Sequence, residues 1–396
     1  MNFFRTLLVS SALVVSIHAA TPGIYGIPPR LLEERLEAWK NGDPASRPPV
    51  ERLMKEADAL LGAKPLSVMD KKLLPASGDR HDYYSFGIYW WPDPEKPDGL
   101  PYIRKDGVVN PESREGNDSV PFGRTNHAVF TLGLVYHFSG KEAYAAKTAE
   151  LARVWYLDAE TGMNPNFNHA QAVPGMNAGR GIGLIEASTL PDLMDGIALI
   201  RSSEAWTDQD DTRMTEWLGA FHQWLRTSKN GLDQEKASNN HGVYYDVLAS
   251  HLALYLGEKN EAEQRLRNAL ARRVDAQIQA DGKQPHELKR TISFSYTIFN
   301  TDAFFQLATL GESVGVDFWG HRGPKGQGLK PAMDLLAPYA DRKKPWNLGK
   351  QIKPVGRSSI LPFLQQALRY EENPGYRSLL EKHGGVKKDE RWRLTR

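Results

Sequence analysis

The stretch at residues 237–257, ASNNHGVYYDVLASHLALYLG, passes from a polar turn into an apolar run and stops at a glycine. Its apolar residues recur at three- and four-residue spacing with no proline among them, which predicts a helix over 240–256. Two asparagines and a histidine stand at its mouth. One asparagine is explained as an N-cap whose side-chain oxygen takes an orphan N–H of the first turn; the second, and the histidine, need another role. At about 100° per residue, His241, Tyr244, Tyr245, Leu248, Leu252 and Tyr255 fall on one broad face, so the histidine points to the core-facing side at the open end of the helix. The helix dipole disfavours a charged histidine there, which suits a neutral imidazole acting as a base. A capping cluster packed under a loop accounts for the same residues.

Working outward, helix follows helix. PPRLLEERLEAWKNG and ERLMKEADALLGAK read as two N-terminal helices, and from Arg124 onward helical periodicity covers 124–139, 142–157, 181–202, 208–228, 240–256, 260–280, 287–312, 329–338, 357–370 and 374–383. Strand signals are nearly absent. About a dozen or more helices in a hairpin-like series predict an all-α fold, and the lack of a fixed sequence period favours an irregular (α/α) toroid, an incomplete α/α barrel, over a repeat solenoid. Residues 76–123 break the pattern, being dense in Pro, Gly, Asp and aromatics; a loop of that length inside a compact domain is usually functional. No linker divides the chain, so one toroid domain is expected over 21–396.

Composition narrows the class. The chain has 396 residues, 40% hydrophobic and 25% charged, with a net charge of +2 and no cysteine. That is globular composition, and no Lys/Arg block marks a nucleic-acid footprint. The N-terminus carries one arginine, an apolar run from Leu7 to Ile17 and small residues at Ala19 and Ala20, so residues 1–20 read as a signal peptide too short to remain as an anchor. The mature protein is expected without a membrane segment, in the periplasm or outside the cell, where the absence of cysteines avoids disulfide chemistry. Composition carries no information on oligomeric state.

Four constellations bear chemistry. Besides Asn239, Asn240 and His241, the run DGKQPHELKRTISFSYTIFNTDAFF at 281–305 starts a helix at Pro285, with Glu287 supporting its first turn. Ser293, Tyr296 and Asn300 share a face of that helix, while Arg290 lies about 120° from Tyr296, so the two serve one site only if it lies between them or the helix is irregular. Tyr89, Trp90 and Trp91 stand beside three prolines and offer flat faces for a sugar ring, or an anchor for the loop. Gln171, Asn177 and Arg180 cluster before a helix, and amides with a guanidinium bind carboxylates and hydroxyls. Arg104, Arg124 and Arg180 are candidates for lining a basic cleft within the balanced total charge. No metal site is expected, because His286 lacks the second histidine of HExxH and His81–Asp82 is isolated; no Walker A, GxSxG or dinucleotide motif calls for a cofactor. A paired-carboxylate glycosidase stays open, since sequence spacing says nothing of separation in space.

With NNH, DGKQPHELKR and its following tyrosine, YWWPDPEKPDGLPYIRKDGVVNPE and PGMNAGRGIGLIE in view, the chain resembles the alginate lyase superfamily of helical polysaccharide lyases. It is most similar to polysaccharide lyase family 38, the glucuronan and alginate lyases, over residues 80–310, and more distantly to family 5. The resemblance implies an α/α toroid, an exported enzyme and metal-independent β-elimination of an anionic uronic acid polymer. It implies Asn240 and Arg290 as holders of the uronate carboxylate, His241 or Tyr296 as the base and Tyr296 as the acid, with Asn239 left as the helix cap. Tyr296 is followed by Thr297 where family 5 has a histidine in YHN, so the preferred polymer is not fixed. The rival expectations are a non-catalytic uronan-binding protein and an α/α-toroid glycoside hydrolase.

Overall fold

The computed structural model describes residues 23–341, 343–385 and 390–395; the expected signal peptide, 1–20, lies outside the described residues. Fifteen α-helical segments carry the described chain, joined by short 3-10 and π turns and by four strands of two to four residues. None of these helices is long and apolar enough to cross a membrane.

The helix Asn240–Tyr255 organises the rest. It is buried on every side: apart from His241, every residue in it is buried. The one-face reading of its pattern is therefore corrected, because an element apolar all round is a central helix rather than a surface one. Tyr245, Leu248, Ala249, Leu252 and Tyr255 pack into one core cluster with the N-terminal helices. Val243, Tyr244, Val247, Ala253 and Leu254 pack into a second with the C-terminal helices. Each set has its own i, i+3/i+4 spacing, so two helical stripes are superposed in one sequence.

A fully buried carboxylate interrupts the apolar surface. Asp246 accepts from Arg273 Nε at 2.7 Å, Arg272 at 2.5 Å and Arg265 at 3.1 Å. Arg273 reaches further, donating to the carbonyls of Ala237 at 2.8 Å and Glu235 at 2.7 Å. The turn that delivers Asn239, Asn240 and His241 is thereby tied to the helix it opens. Gly242 permits the approach, since a Cβ there would stand 2.1 Å from the Ala237 carbonyl oxygen and 2.4 Å from Arg273.

Most helices stand where periodicity put them, with Asp208–Thr227 and Pro374–His383 within a residue of expectation. The 287–312 helix does not survive as one: Pro285–Leu288 ends in a turn, and a new helix runs Ser293–Glu312. Segment 181–202 likewise divides into a 3-10 stretch, Gly181–Thr189, and a helix, Leu190–Ile200. The helices Lys229–Glu235 and Glu390–Thr395 carried too little periodicity to be read. The long loop is ordered by two small ladders: Tyr84–Phe86 runs parallel to His169–Ala172, and Trp90–Trp91 antiparallel to Ile103–Arg104.

Gly242→Ala is expected to lower unfolding free energy by about 1–3 kcal/mol through overpacking. Gly219→Ala, mid-helix in Asp208–Thr227 with no atom within 4 Å of the added carbon, is expected to raise it by about 0.5–1 kcal/mol. Urea unfolding of the two variants checks the pair.

Candidate active site

A cleft of about 600 Å³ opens at the N-terminal end of the central helix, walled by the Gly181–Thr189 stretch, the Ser293–Glu312 helix and the long loop. It gathers Tyr89, Trp90, Gln171, Arg180, Asn239, Asn240, His241, Arg290 and Tyr296, together with Arg104, over an apolar floor that includes Ile182, Ile185 and Phe299. Residues from four separate parts of the chain thus meet in one place. No Asp or Glu lines it among the described residues.

The break after Leu288 answers the question of Arg290 and Tyr296. Because Arg290 sits in the turn rather than on the helix, its guanidinium swings over the Tyr296 ring, 3.6 Å from the centroid. Asp106, from the long loop, holds it there through Nε at 3.2 Å and an Nη at 2.6 Å. Burial alone would raise the Asp106 carboxyl, but these bonds and those of Thr291 outweigh it and hold it down at about 2. The Tyr296 hydroxyl donates to the Tyr89 hydroxyl at 3.0 Å. Burial, then Tyr89, pushes the Tyr296 phenol well up, against the pull of Arg290, so it is protonated at neutral pH.

His241 is half-buried at the cleft wall, its Nδ1 buried without a hydrogen-bond partner. Burial first, then the charges of Arg290 and Arg180, bring its imidazole down to about 3. The ring is accordingly neutral, a potential acceptor of a proton. Asn239 occupies the cap position but makes no side-chain cap bond, which corrects its expected task; it lines the cleft instead. The cap bond comes from elsewhere in the chain: Glu287 accepts the Asn240 backbone N–H at 2.9 Å and its Nδ2 at 2.9 and 2.8 Å.

Opposite, Arg180 donates to the Gln171 carbonyl and to its Oε1, both at 3.0 Å, and lies 5.5 Å from the Trp90 ring. Burial and the neighbouring Arg104 lower the Arg180 guanidinium to about 10. Gln171 has φ 47°, the one left-handed non-glycine backbone among the described residues. Such strain is concentrated at functional sites.

Three candidates fall outside. Trp91 gives its Nε1–H to the Val108 carbonyl at 3.0 Å and carries Lys105 5.1 Å above its ring, so it anchors the loop. Arg124 lines a separate groove with Glu56, Leu60 and Leu151, because its helix, Ser119–Ser139, turns that side away from the cleft. Asn177 closes the 173–177 turn by accepting from the Val173 N–H. Asp106 and Glu287 were missed as site residues, one hidden in an ordinary polar loop, the other read as a first-turn acid. The one cluster of metal-ligand spacing among the described residues, His222 with Glu258 and Glu261, lies beyond the far end of the central helix, and Arg226 already pairs with Glu261 at 2.6 Å.

A helical toroid whose cleft gathers tyrosine, neutral histidine, amides and arginines, with no carboxylate lining it among the described residues, lacks the carboxylate pair of a glycosidase and fits a polysaccharide-cleaving enzyme that works by elimination. Comparison with known proteins agrees. The alginate lyase family model matches residues 67–346. An alginate lyase from Bacteroides ovatus is 36% identical, with 94% of this chain and 98% of that one covered at a TM-score of 0.88. The Sphingomonas species A1 alginate lyase A1-III shares the fold at 16% identity, TM-score 0.56 and 90% of each chain covered. A histidine-to-alanine variant of A1-III complexed with a tetrasaccharide matches at 15% identity and TM-score 0.57, with 90% of each chain covered. No curated protein sequence matches the chain. The chain belongs to the alginate lyase family and is a polysaccharide lyase.

The lowered His241 has a consequence for stability. The unfolded chain takes up this proton near pH 6.5 and the folded chain only near 3, so the unfolded state binds more protons in between and His241 costs stability as pH falls through that window. Wild type is expected to lose unfolding free energy relative to His241→Gln between pH 6.5 and 4, and to run parallel to it above pH 7.5, in urea titrations across pH.

Proposed function

We propose that this lyase cleaves 1,4-linked uronic acid polymers, alginate foremost and glucuronan as the alternative, by metal-independent β-elimination, and that it works outside the cytoplasm. The observation that carries the reading is the cleft itself, which combines Arg104, Arg180 and Arg290 with Tyr296 and His241 and has no lining carboxylate among the described residues. Three guanidiniums favour an anionic polymer and oppose a divalent cation. The fitting substrate is polyanionic.

The chemistry follows from where charge develops. The C5 proton of a uronate is weakly acidic until the adjacent carboxylate is neutralised, because its removal builds an enolate-like dianion. Arg290 and Asn240 supply donors to that carboxylate. An arriving carboxylate also offsets the arginine fields that, after burial, depress His241, and so raises its basicity. His241 or Tyr296 takes the C5 proton, the C4–O4 bond breaks as the C4–C5 double bond forms, and the Tyr296 phenol returns a proton to O4. In mannuronate the proton and leaving oxygen share a face and Tyr296 serves both, its phenol first giving its own proton to solvent, a loss the Arg290 charge favours; in guluronate they are opposed and His241 is the base. The apolar run at Leu7–Ile17 followed by Ala19 and Ala20 supports export.

The test is absorbance of the 4,5-unsaturated product with polymannuronate, polyguluronate and glucuronan, each with and without chelator. A chelator-resistant rise is expected on at least one polymer; silence on all three, with binding retained, overturns the reading. Tyr296→Phe is expected to cost about 10²–10⁴-fold in kcat on any polymer, and His241→Ala to cost polyguluronate turnover more than polymannuronate turnover.

A further inference from the structure

We infer that Glu287 is the positioning residue for Asn240, fixing which end of that side-chain amide meets the substrate. The inference rests on the proposed role of Asn240 as a donor to the uronate carboxylate.

Asn240 opens the central helix, so its backbone N–H is one of the donors a helix start leaves without an internal partner. Asn239, the residue in the cap position, does not satisfy it. Glu287 does, from the short helix Pro285–Leu288, and the same carboxylate takes the Asn240 Nδ2 on both oxygens at 2.9 and 2.8 Å. Glu287 is fully buried and Asn240 is 1% exposed, so neither can exchange these bonds for water. The Asn240 Oδ1 is buried without a hydrogen-bond partner.

This geometry removes the usual freedom of an amide. Reversal would set Oδ1 against the carboxylate, acceptor against acceptor, which in a buried site is heavily penalised. The remaining donor capacity can also be counted. Carboxylate oxygens about 2.2 Å apart subtend only about 45° at a nitrogen 2.8–2.9 Å away, whereas the two N–H bonds of an amide diverge by about 120°. One N–H is therefore shared by the two oxygens. The other is left over, pointed away from Glu287, on a residue that lines the cleft. A carboxamide without such an anchor would divide between two orientations, only one of which offers a donor to a carboxylate; Glu287 removes the wrong one before substrate arrives.

The experiment is a kinetic cycle of Glu287→Gln, Asn240→Ala and the double variant on polymannuronate, or on whichever of the three uronans the wild type degrades, with Glu287→Asp alongside. Glutamine keeps shape but offers a donor as well as an acceptor, so it no longer dictates the orientation of Asn240. Expected is a kcat loss of about 10²-fold for Glu287→Gln with KM moved far less, partial recovery in Glu287→Asp, and no further loss when Glu287→Gln is added to Asn240→Ala. A merely structural role would instead lower the melting temperature and multiply the losses in both backgrounds, which overturns the inference, as does full turnover in Glu287→Gln. Should Glu287→Gln not fold, Glu287→Asp in the two Asn240 backgrounds gives the same decision. Full turnover in Asn240→Ala removes the site reading and this inference together; impaired Asn240→Ala beside normal Glu287→Gln removes the inference alone.

Discussion

Burying Asp246 in the middle of a helix that is apolar on every side imposes the constraint on which the rest depends. A carboxylate without water needs charge and hydrogen bonds around it, and Arg273, Arg272 and Arg265 supply them. Arg273 does not stop at the carboxylate. By also holding the carbonyls of Glu235 and Ala237, it joins the centre of the fold to the turn that carries Asn239, Asn240 and His241. The site inherits its rigidity from the core, which is how a catalytic geometry is kept on a chain whose walls are largely loop.

A second principle runs through the cleft: two of its hydrogen-bond donors are held by acids set behind them. Asp106 grips Arg290 against the Tyr296 ring, and Glu287 grips Asn240. Neither acid lines the cleft. The surface offered to a ligand is cationic and amide-rich, while the anions that orient it stay outside the reach of a polyanion. Lining carboxylates would repel such a substrate; placed behind, they orient donors at smaller electrostatic cost.

Charge also separates the two proton-handling groups. Burial pushes the Tyr296 phenol up and the His241 imidazole down, so that one holds its proton and the other lacks one at neutral pH. Environment thus leaves one group protonated and the other neutral, from side chains whose ordinary values would leave histidine partly charged.

The helical pattern was legible because periodicity is a local property: most of the helical segments follow stripes of apolar residues that each helix buries. So were Asn240, His241, Arg290, Tyr296, Tyr89, Trp90, Gln171 and Arg180, whose residue types in quoted motifs matched a chemistry before any distance was known. What sequence could not carry was direction in space. The central helix reads as one broad face because its two stripes overlap, and only packing against two separate clusters distinguishes them. Arg124 is as good a cation on paper as Arg104, yet its helix faces another groove. Arg290 reaches Tyr296 only through a helix break that periodicity ran across, and Asp106 and Glu287 matter through partners 184 and 47 residues away. By itself the sequence determined most of the helical segments and, through motifs that resemble a family, the class of enzyme, since both are written in residue type and short spacing. Tertiary structure alone decided which way each polar side chain points and who holds it there, because hydrogen bonds across the fold depend on distances that chain order does not encode.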